Sequence, residues 1–284
     1  MLFNIGDVVT RNSYNNDIFF KIVDIDDDIA ILEGVNIRLS ADSKITDLKK
    51  ENIVNNDDND LFDRFGESKL NRDEYFYLPG KILHIDADKD YLNRCMNFYE
   101  KINIKAKGIR LKENEVKNNI SKLLDEYKPD ILVITGHDAY YRKMGNEENN
   151  NNYKNTINFI DAVRVARKNY NHENLIIIAG ACQSNYEELI KAGANFASSP
   201  KRINIHALDP AIIASSLALS DRNKPIDLLN ILDKTRYGKD GIGGIITNGT
   251  MYVGYPRWLV KLGMTYLIRK IKYLTSDIME LAIK

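Results

Sequence analysis

Two cysteines, Cys95 and Cys182, and four histidines, His84, His137, His172 and His206, are all the thiol and imidazole chemistry that the 284 residues carry. That scarcity excludes a disulfide-dense secreted scaffold and any zinc site built from four cysteines. An excess of charge of one sign is also missing: forty Lys plus Arg stand against forty Asp plus Glu. A chain that neutralises many phosphates usually carries a basic excess, so nucleic acid is not expected as a partner. Only a local basic face, such as Arg11, Lys21 and Arg38, would escape that argument. No apolar run reaches the length of a membrane span. Residues 1–7 lack a basic n-region and an apolar h-region, so no secretory signal is expected. What is present is ordinary for a globular chain, 44% hydrophobic and 28% charged, and long enough for one large domain or two modest ones. The expectation is a cytoplasmic enzyme or binding protein with reduced thiols.

The pattern changes along the chain. Stretches 7–14, 18–26, 29–33 and 36–41 are rich in Val, Ile, Phe and Thr and are broken by Asn15-Asn16, Asp26-Asp27-Asp28 and Gly34. Short strands divided by turn residues predict a small SH3-like β-barrel over residues 1–44. Residues 45–75 shift to Asn, Asp, Lys and Glu, which cannot bury apolar area, and read as a charged linker. Residues 76–256 alternate apolar strands (82–85, 105–111, 131–134, 175–178, 195–199) with helical stripes such as Val116, Ile120, Leu123, Leu124 and Tyr127. Alternation of this kind predicts an α/β fold, a mostly parallel sheet with helices on both faces, caspase- or flavodoxin-like. Helices are expected near 210–219 and 225–237, then a hairpin of 244–247 with 251–255 turned by Asn248-Gly249. Residues 257–284 carry a heptad seam, Val260, Met264, Leu267, Ile271, Leu274, Ile278 and Leu281. It reads as an amphipathic helix docked on its own domain, with homodimerisation or membrane-surface binding as sharper alternatives.

In open α/β sheets, ligands bind outside the carboxyl ends of the strands. Those ends hold Asp86 and Asp88, then Thr135-Gly136-His137-Asp138, then Ala179-Gly180-Ala181-Cys182-Gln183-Ser184. Among the possible Cys–His pairings, only His137 with Cys182 places both partners just past consecutive long apolar strands. A thiolate attacks a carbonyl only if it is populated, and an adjacent imidazole can take the proton. Cys182 is expected at a strand-to-helix turn, where helix amides would stabilise the thiolate and an oxyanion. Gly136, Gly180 and Ala181 give backbone and substrate room to approach. Cys95, on the inner face of a helix, reads as a small core residue.

An apolar strand ending in Gly136-His137, followed by one ending in Ala181-Cys182, resembles the caspase, legumain and gingipain clan of cysteine peptidases. A more specific resemblance covers nearly the whole chain. Gly6-Asp7 through Ser13-Tyr14, Leu132 through Tyr140, Ala179 through Ser184, Ala192 through Pro200 and Asn204 through Pro210 resemble the YabG family of sporulation-specific peptidases. The resemblance implies His137 as catalytic histidine and Cys182 as nucleophile. It also implies spore coat and cortex-related precursor proteins as substrates, cleaved near basic residues in the sporulating mother cell or on the spore. One departure from the caspase pattern is Asp138, which stands where that pattern has glycine.

The mechanism expected is acyl transfer through a thioester, with the amides of Cys182 and of residues following Gly136 binding the oxyanion and no metal or cofactor. Asp86, Asp88 and Asp138 are candidates for a third, orienting acid. Asp209, Asp138 and Asp86, with Ser198 and Ser199, are candidates for substrate binding, although Asp209 before Pro210 equally suits a helix cap. Self-cleavage near Arg64 or Arg72 is a further expectation. The competing readings are a Cys-dependent amidase or amidotransferase, which usually places the cysteine before its histidine, and a non-catalytic scaffold bearing a binding module.

Overall fold

The computed structural model describes residues 3–51, 61 and 74–255. Most of the 45–75 linker, Arg64 and Arg72 within it, and the whole heptad segment lie outside them. No helix among the described residues is long and apolar enough to cross a membrane.

The N-terminal strands β1 (Val8–Arg11), β2 (Phe20–Asp26), β3 (Ile29–Gly34), β4 (Ser40–Lys44) and β5 (Leu48–Lys50) form an antiparallel sheet in the order β4-β3-β2-β1-β5. Its inward side chains, among them Val9, Phe20, Ile22, Ala30 and Leu32, make a small core that also takes in Cys182 and Ile205. Left-handed Asn15, Asn16 and Asp27 make the turns, a conformation that Asn and Asp tolerate best after glycine. Of the strand expected at 36–41, only Ser40 and Ala41 lie in a regular strand. β4 begins at Ser40, and the residues before it bridge to the rest of the protein, Ile37 to His206 and Leu39 to Asp138.

After β6 (Phe76–Leu78) comes the main α/β unit. Strands β7 (Ile82–Asp86), β8 (Ala106–Arg110), β9 (Ile131–Thr135), β10 (Ile176–Ala179), β11 (Phe196–Ser198) and β12 (Ile242–Gly244) form one sheet ordered β12-β11-β10-β9-β7-β8. It is parallel except for β12, which runs antiparallel to β11. Helices α1 (Lys89–Lys101), α2 (Glu113–Tyr127), α3 (Thr156–Arg167), α4 (Tyr186–Ala192), α5 (Asp209–Ala218), α6 (Leu228–Asp233) and α7 (Gly238–Gly241) cover it. Alternate strand residues divide between two cores. Ile82, Ile131, Val133, Ile176, Ile178 and Phe196 pack with α1, α5 and α6. Leu83, Ile85, Leu132, Ile134 and Ile177 pack with α2, α3 and α4. Because side chains alternate across a strand, continuous apolar runs are what a sheet buried on both faces requires.

Two expected elements differ. The stretch 225–237 is not one helix; α6 starts only at Leu228, capped by the Asp227 carboxylate on the Asn230 amide. The hairpin at Asn248-Gly249 does not form. β12 pairs with β11, while β13 (Tyr252–Gly254) pairs with β6. The residues between run past the end of α5 and the loop after it, where the Gly249, Thr250 and Met251 amides bond to the Lys224, Leu217 and Ser220 carbonyls. Asn-Gly permits a tight turn but does not compel one when flanking strands find better partners.

Candidate active site

The chain leaves β7 outward to β8 and then returns to the other side of β7 for β9, so the topological switch point lies between β7 and β9. Helices on opposite faces diverge there and leave a crevice at the carboxyl ends. Asp86 closes β7 and Thr135 closes β9, side by side in register. The Thr135 hydroxyl donates to Asp86 Oδ2 at 2.9 Å, and the Asp88 amide donates to Asp86 Oδ1 at 2.9 Å. His84 Nε2 stands 3.6 Å from Asp86 Oδ2.

Past β9 the chain turns through Gly136, where any Cβ would collide with the Glu113 carboxylate. That carboxylate accepts the His137 amide at 2.9 Å. Past β10, Gly180 takes φ +105, a backbone that side chains resist, and a Cβ would stand 2.8 Å from Leu189 Cδ1. The two loops are tied by Asp138. Its buried carboxylate accepts from the Ala139 and Asn155 amides and from the Thr156 and Ser184 hydroxyls, and Ser184 Oγ in turn accepts the Ala181 amide. Burial pushes the Asp138 carboxyl up against these hydrogen bonds. Asp138 therefore joins the His137 loop to the Cys182 loop; its side chain is fully committed to that joint.

His137 is 2% exposed. Its Nδ1 lies 3.8 Å from Glu33 Oε1 of the small sheet and its Nε2 lies 3.7 Å from Asp88 Oδ2. The ring packs on Tyr91 at 5.2 Å between centroids. Glu33, Asp88 and His137 bring their ligand-type atoms within 4.8 Å of one another, a grouping able to hold a divalent cation. Cys182 is fully buried. Its Sγ accepts the Ile205 amide at 3.2 Å and the thiol lies 3.6 Å from the Ile205 carbonyl. Burial pushes this thiol well up, against the pull of the Ile205 backbone and the Arg38 charge. Helix α4 begins at Tyr186 and its amides are capped by Asn185. The amide at the cysteine is thus Cys182's own rather than that of a helix terminus.

Residues 36–40 cross this site, kinked at Arg38 by the Leu39 amide donating to the Ile37 carbonyl. The Arg38 amide donates to the Ile205 carbonyl at 3.2 Å, and the Ala207 amide donates to the Asn36 carbonyl at 3.1 Å. The Ser40 amide donates to the Asp138 carbonyl at 3.2 Å, and the Cys182 amide donates to the Arg38 carbonyl at 3.3 Å. The Arg38 side chain enters the crevice fully buried. Its Nη1 meets Asp86 Oδ2 at 2.6 Å and its Nη2 donates to the Ala207 carbonyl at 2.8 Å. Its Cζ lies 4.9 Å from the Tyr91 ring centroid. Burial alone would raise the Asp86 carboxyl, but Arg38, His84 and the Asp88 amide together hold it well below the usual carboxylate range.

The remaining candidates lie nearby in supporting positions. Asp209 is buried, accepts the His206 and Arg236 amides, and burial pushes its carboxyl up to about 6. Ser199 Oγ bonds to the Ile203 carbonyl and the Gln183 amide, shaping the turn after the cysteine. Ser198 is buried in β11. Cys95 sits in the core beneath the crevice, 3.7 Å from Arg38 Nη2, its thiol pushed up to about 12 by burial. Arg38 is not part of a basic face: it is enclosed, while Lys21 pairs with Asp90 and Arg11 stacks over Tyr14. Sequence reasoning missed Glu33, Tyr91, Glu113 and Ile205. Glu33, Tyr91 and Glu113 stand in no motif, Ile205 falls inside the segment from Asn204 through Pro210 without reactive chemistry of its own, and each is brought in by a contact distant along the chain.

A family model described as "YabG peptidase U57" matches residues 4–65 and 53–256. The "Sporulation-specific protease YabG" of Bacillus subtilis (strain 168) is 41% identical over 286 residues, which covers 90% of this chain and 99% of that protein.

Proposed function

The chain belongs to the YabG peptidase (U57) family, and from that premise we propose that it is a cysteine endopeptidase of sporulation that cuts after basic residues. One observation carries the reading. A peptide carbonyl, that of Arg38, receives the Cys182 amide while its side chain fills a carboxylate-lined crevice. A substrate arginine in the same position would set its carbonyl carbon before Cys182.

In this mechanism Cys182 Sγ attacks the carbonyl carbon and its proton passes to His137. The Cys182 amide, already directed at a carbonyl oxygen, stabilises the oxyanion of the tetrahedral intermediate. His137 then gives its proton to the departing amine and a thioester remains. Water, deprotonated by His137, hydrolyses the thioester and frees Cys182. Asp88 and Glu33 stand one near each ring nitrogen of His137 and orient the ring. Gly136, Asp138, Gly180 and Ala181 hold the two loops at their spacing.

Asp86 is the specificity carboxylate in this reading. Thr135 and the Asp88 amide hold it in place, and the Tyr91 face and Ala207 carbonyl complete a site matched to a planar guanidinium. Asp209, Ser198 and Ser199 support the walls. The substrates proposed are spore coat and cortex-related precursor proteins in the mother cell or on the spore, with self-cleavage an expected side reaction. A Cys-dependent amidase would need no long groove, whereas residues 36–40 make backbone hydrogen bonds on both sides of Cys182.

The test is alkylation of Cys182 as a function of pH in wild type and His137→Ala, together with cleavage of an arginyl and a matched neutral peptide. A thiol titration unchanged by loss of His137, with neither peptide cut, would overturn the reading.

A further inference from the structure

Building on the peptidase reading above, we propose that residues 36–40 are a built-in pseudosubstrate: the segment fills the groove with Arg38 in the specificity crevice and keeps the enzyme latent until it is displaced. Four backbone hydrogen bonds, to Asp138, Cys182, Ile205 and Ala207, use the groove on both sides of the cysteine. The side-chain site is also taken, since both guanidinium arms of Arg38 are engaged by Asp86 and the Ala207 carbonyl. Helix α1 holds the approach: the Tyr91 hydroxyl donates to the Ile37 carbonyl at 2.8 Å and Arg94 Nη1 donates to the Val35 carbonyl at 2.9 Å.

Several features make this segment an inhibitor rather than a readily cut substrate. The Leu39 amide donates back to the Ile37 carbonyl at 2.9 Å, so the chain is kinked at Arg38 as in a γ-turn. The Cys182 thiol is engaged with Ile205, and His137 Nε2 makes no hydrogen bond to a described residue. Strands β3 and β4, paired to each other, hold the segment at both ends. A cut at Arg38 would leave both new ends in place, where the bond can reform. A buried thiol whose proton is held tightly fits a resting state. An external arginine must compete with one on the same chain, present at an effective concentration on the order of millimolar.

The test uses the full chain as wild type, Arg38→Ala, Arg38→Lys and Cys182→Ala. Each is treated with an arginyl peptide chloromethyl ketone, labelling is located by mass spectrometry, and folding is checked by thermal melting. Labelling of Cys182 should be at least tenfold faster in Arg38→Ala than in wild type, with a matching rise in kcat/KM for an arginyl peptide. Arg38→Lys, which keeps a cation against Asp86 without the paired geometry, should fall between them and decides the matter should Arg38→Ala not fold. Folded variants that label no faster than an active wild type would overturn latency while leaving the peptidase reading intact. No labelling or cleavage in any folded chain would overturn both.

Discussion

The Cys182 amide donates to the Arg38 carbonyl at 3.3 Å, joining the loop after β10 to a segment of the N-terminal sheet. That bond sets the small sheet directly over the candidate nucleophile, and Cys182 belongs to the same apolar cluster as Val9, Phe20 and Leu39. The N-terminal sheet is therefore part of the site's wall.

Removing either partner of the proposed dyad should abolish cleavage with little effect on the fold. Cys182→Ala and His137→Ala are each expected to lower kcat/KM for an arginyl peptide by roughly a thousandfold or more. Prolonged incubation followed by intact-mass measurement gives an independent readout. Wild type should shorten, and Cys182→Ala should stay full length; equal persistence of both would remove self-cleavage from the account.

Asp86→Asn should weaken the preference for an arginyl over a neutral peptide by at least about tenfold, because the buried guanidinium loses its counter-charge. It should also destabilise the chain by about 3–5 kcal/mol, since Arg38 is left buried and unpaired. Adding Arg38→Met removes the stranded charge. The double variant should recover most of the stability, by urea denaturation, while the arginyl preference stays lost.

Gly180→Ala forces a Cβ onto φ +105 and to within 2.8 Å of Leu189 Cδ1. A backbone outlier of this kind costs about 1–3 kcal/mol, and the turn that presents Cys182 should shift with it. A lower melting temperature with a larger fall in kcat than in KM is expected. Wild-type kinetics would show that the turn tolerates the change.

Asp209 predicts a pH dependence of stability. Burial raises its carboxyl from 3.8 to about 6 in the folded chain. Between those values the folded chain binds more protons than the unfolded one, so this group's contribution falls as pH rises through the window and is level above it. Asp209→Asn should remove that descent. The stability of the variant minus that of wild type, by urea denaturation, should climb from about pH 4 to about pH 6 and then flatten. A constant difference would assign the descent elsewhere.

Much of the α/β unit is legible in the sequence because its signal is local. The strands β7, β9 and β10 are mostly apolar and buried at every position, on both faces. The stripe Val116, Ile120, Leu124 buries the inner face of α2. The location of His137 and Cys182 past neighbouring strands follows from the same reading, as does Cys95 in the core. The Asn248-Gly249 hairpin and the strand at 36–41 were misread for one reason. Local composition states that a segment can be extended, but its partner is chosen by competition among distant edges.

The sequence by itself determined the alternation of strands and helices, the two-faced burial of the sheet and the family. These rest on periodicities of two and of 3.6 residues and on contiguous motifs. Only the tertiary structure decided that Arg38 leaves the small sheet for the Asp86 crevice, that Glu33 and Asp88 flank His137, and that Asp138 ties two loops together. Those contacts join residues far apart in the chain. A buried charge carries no periodic signal, and its partner is fixed by which groups share one enclosed volume after folding.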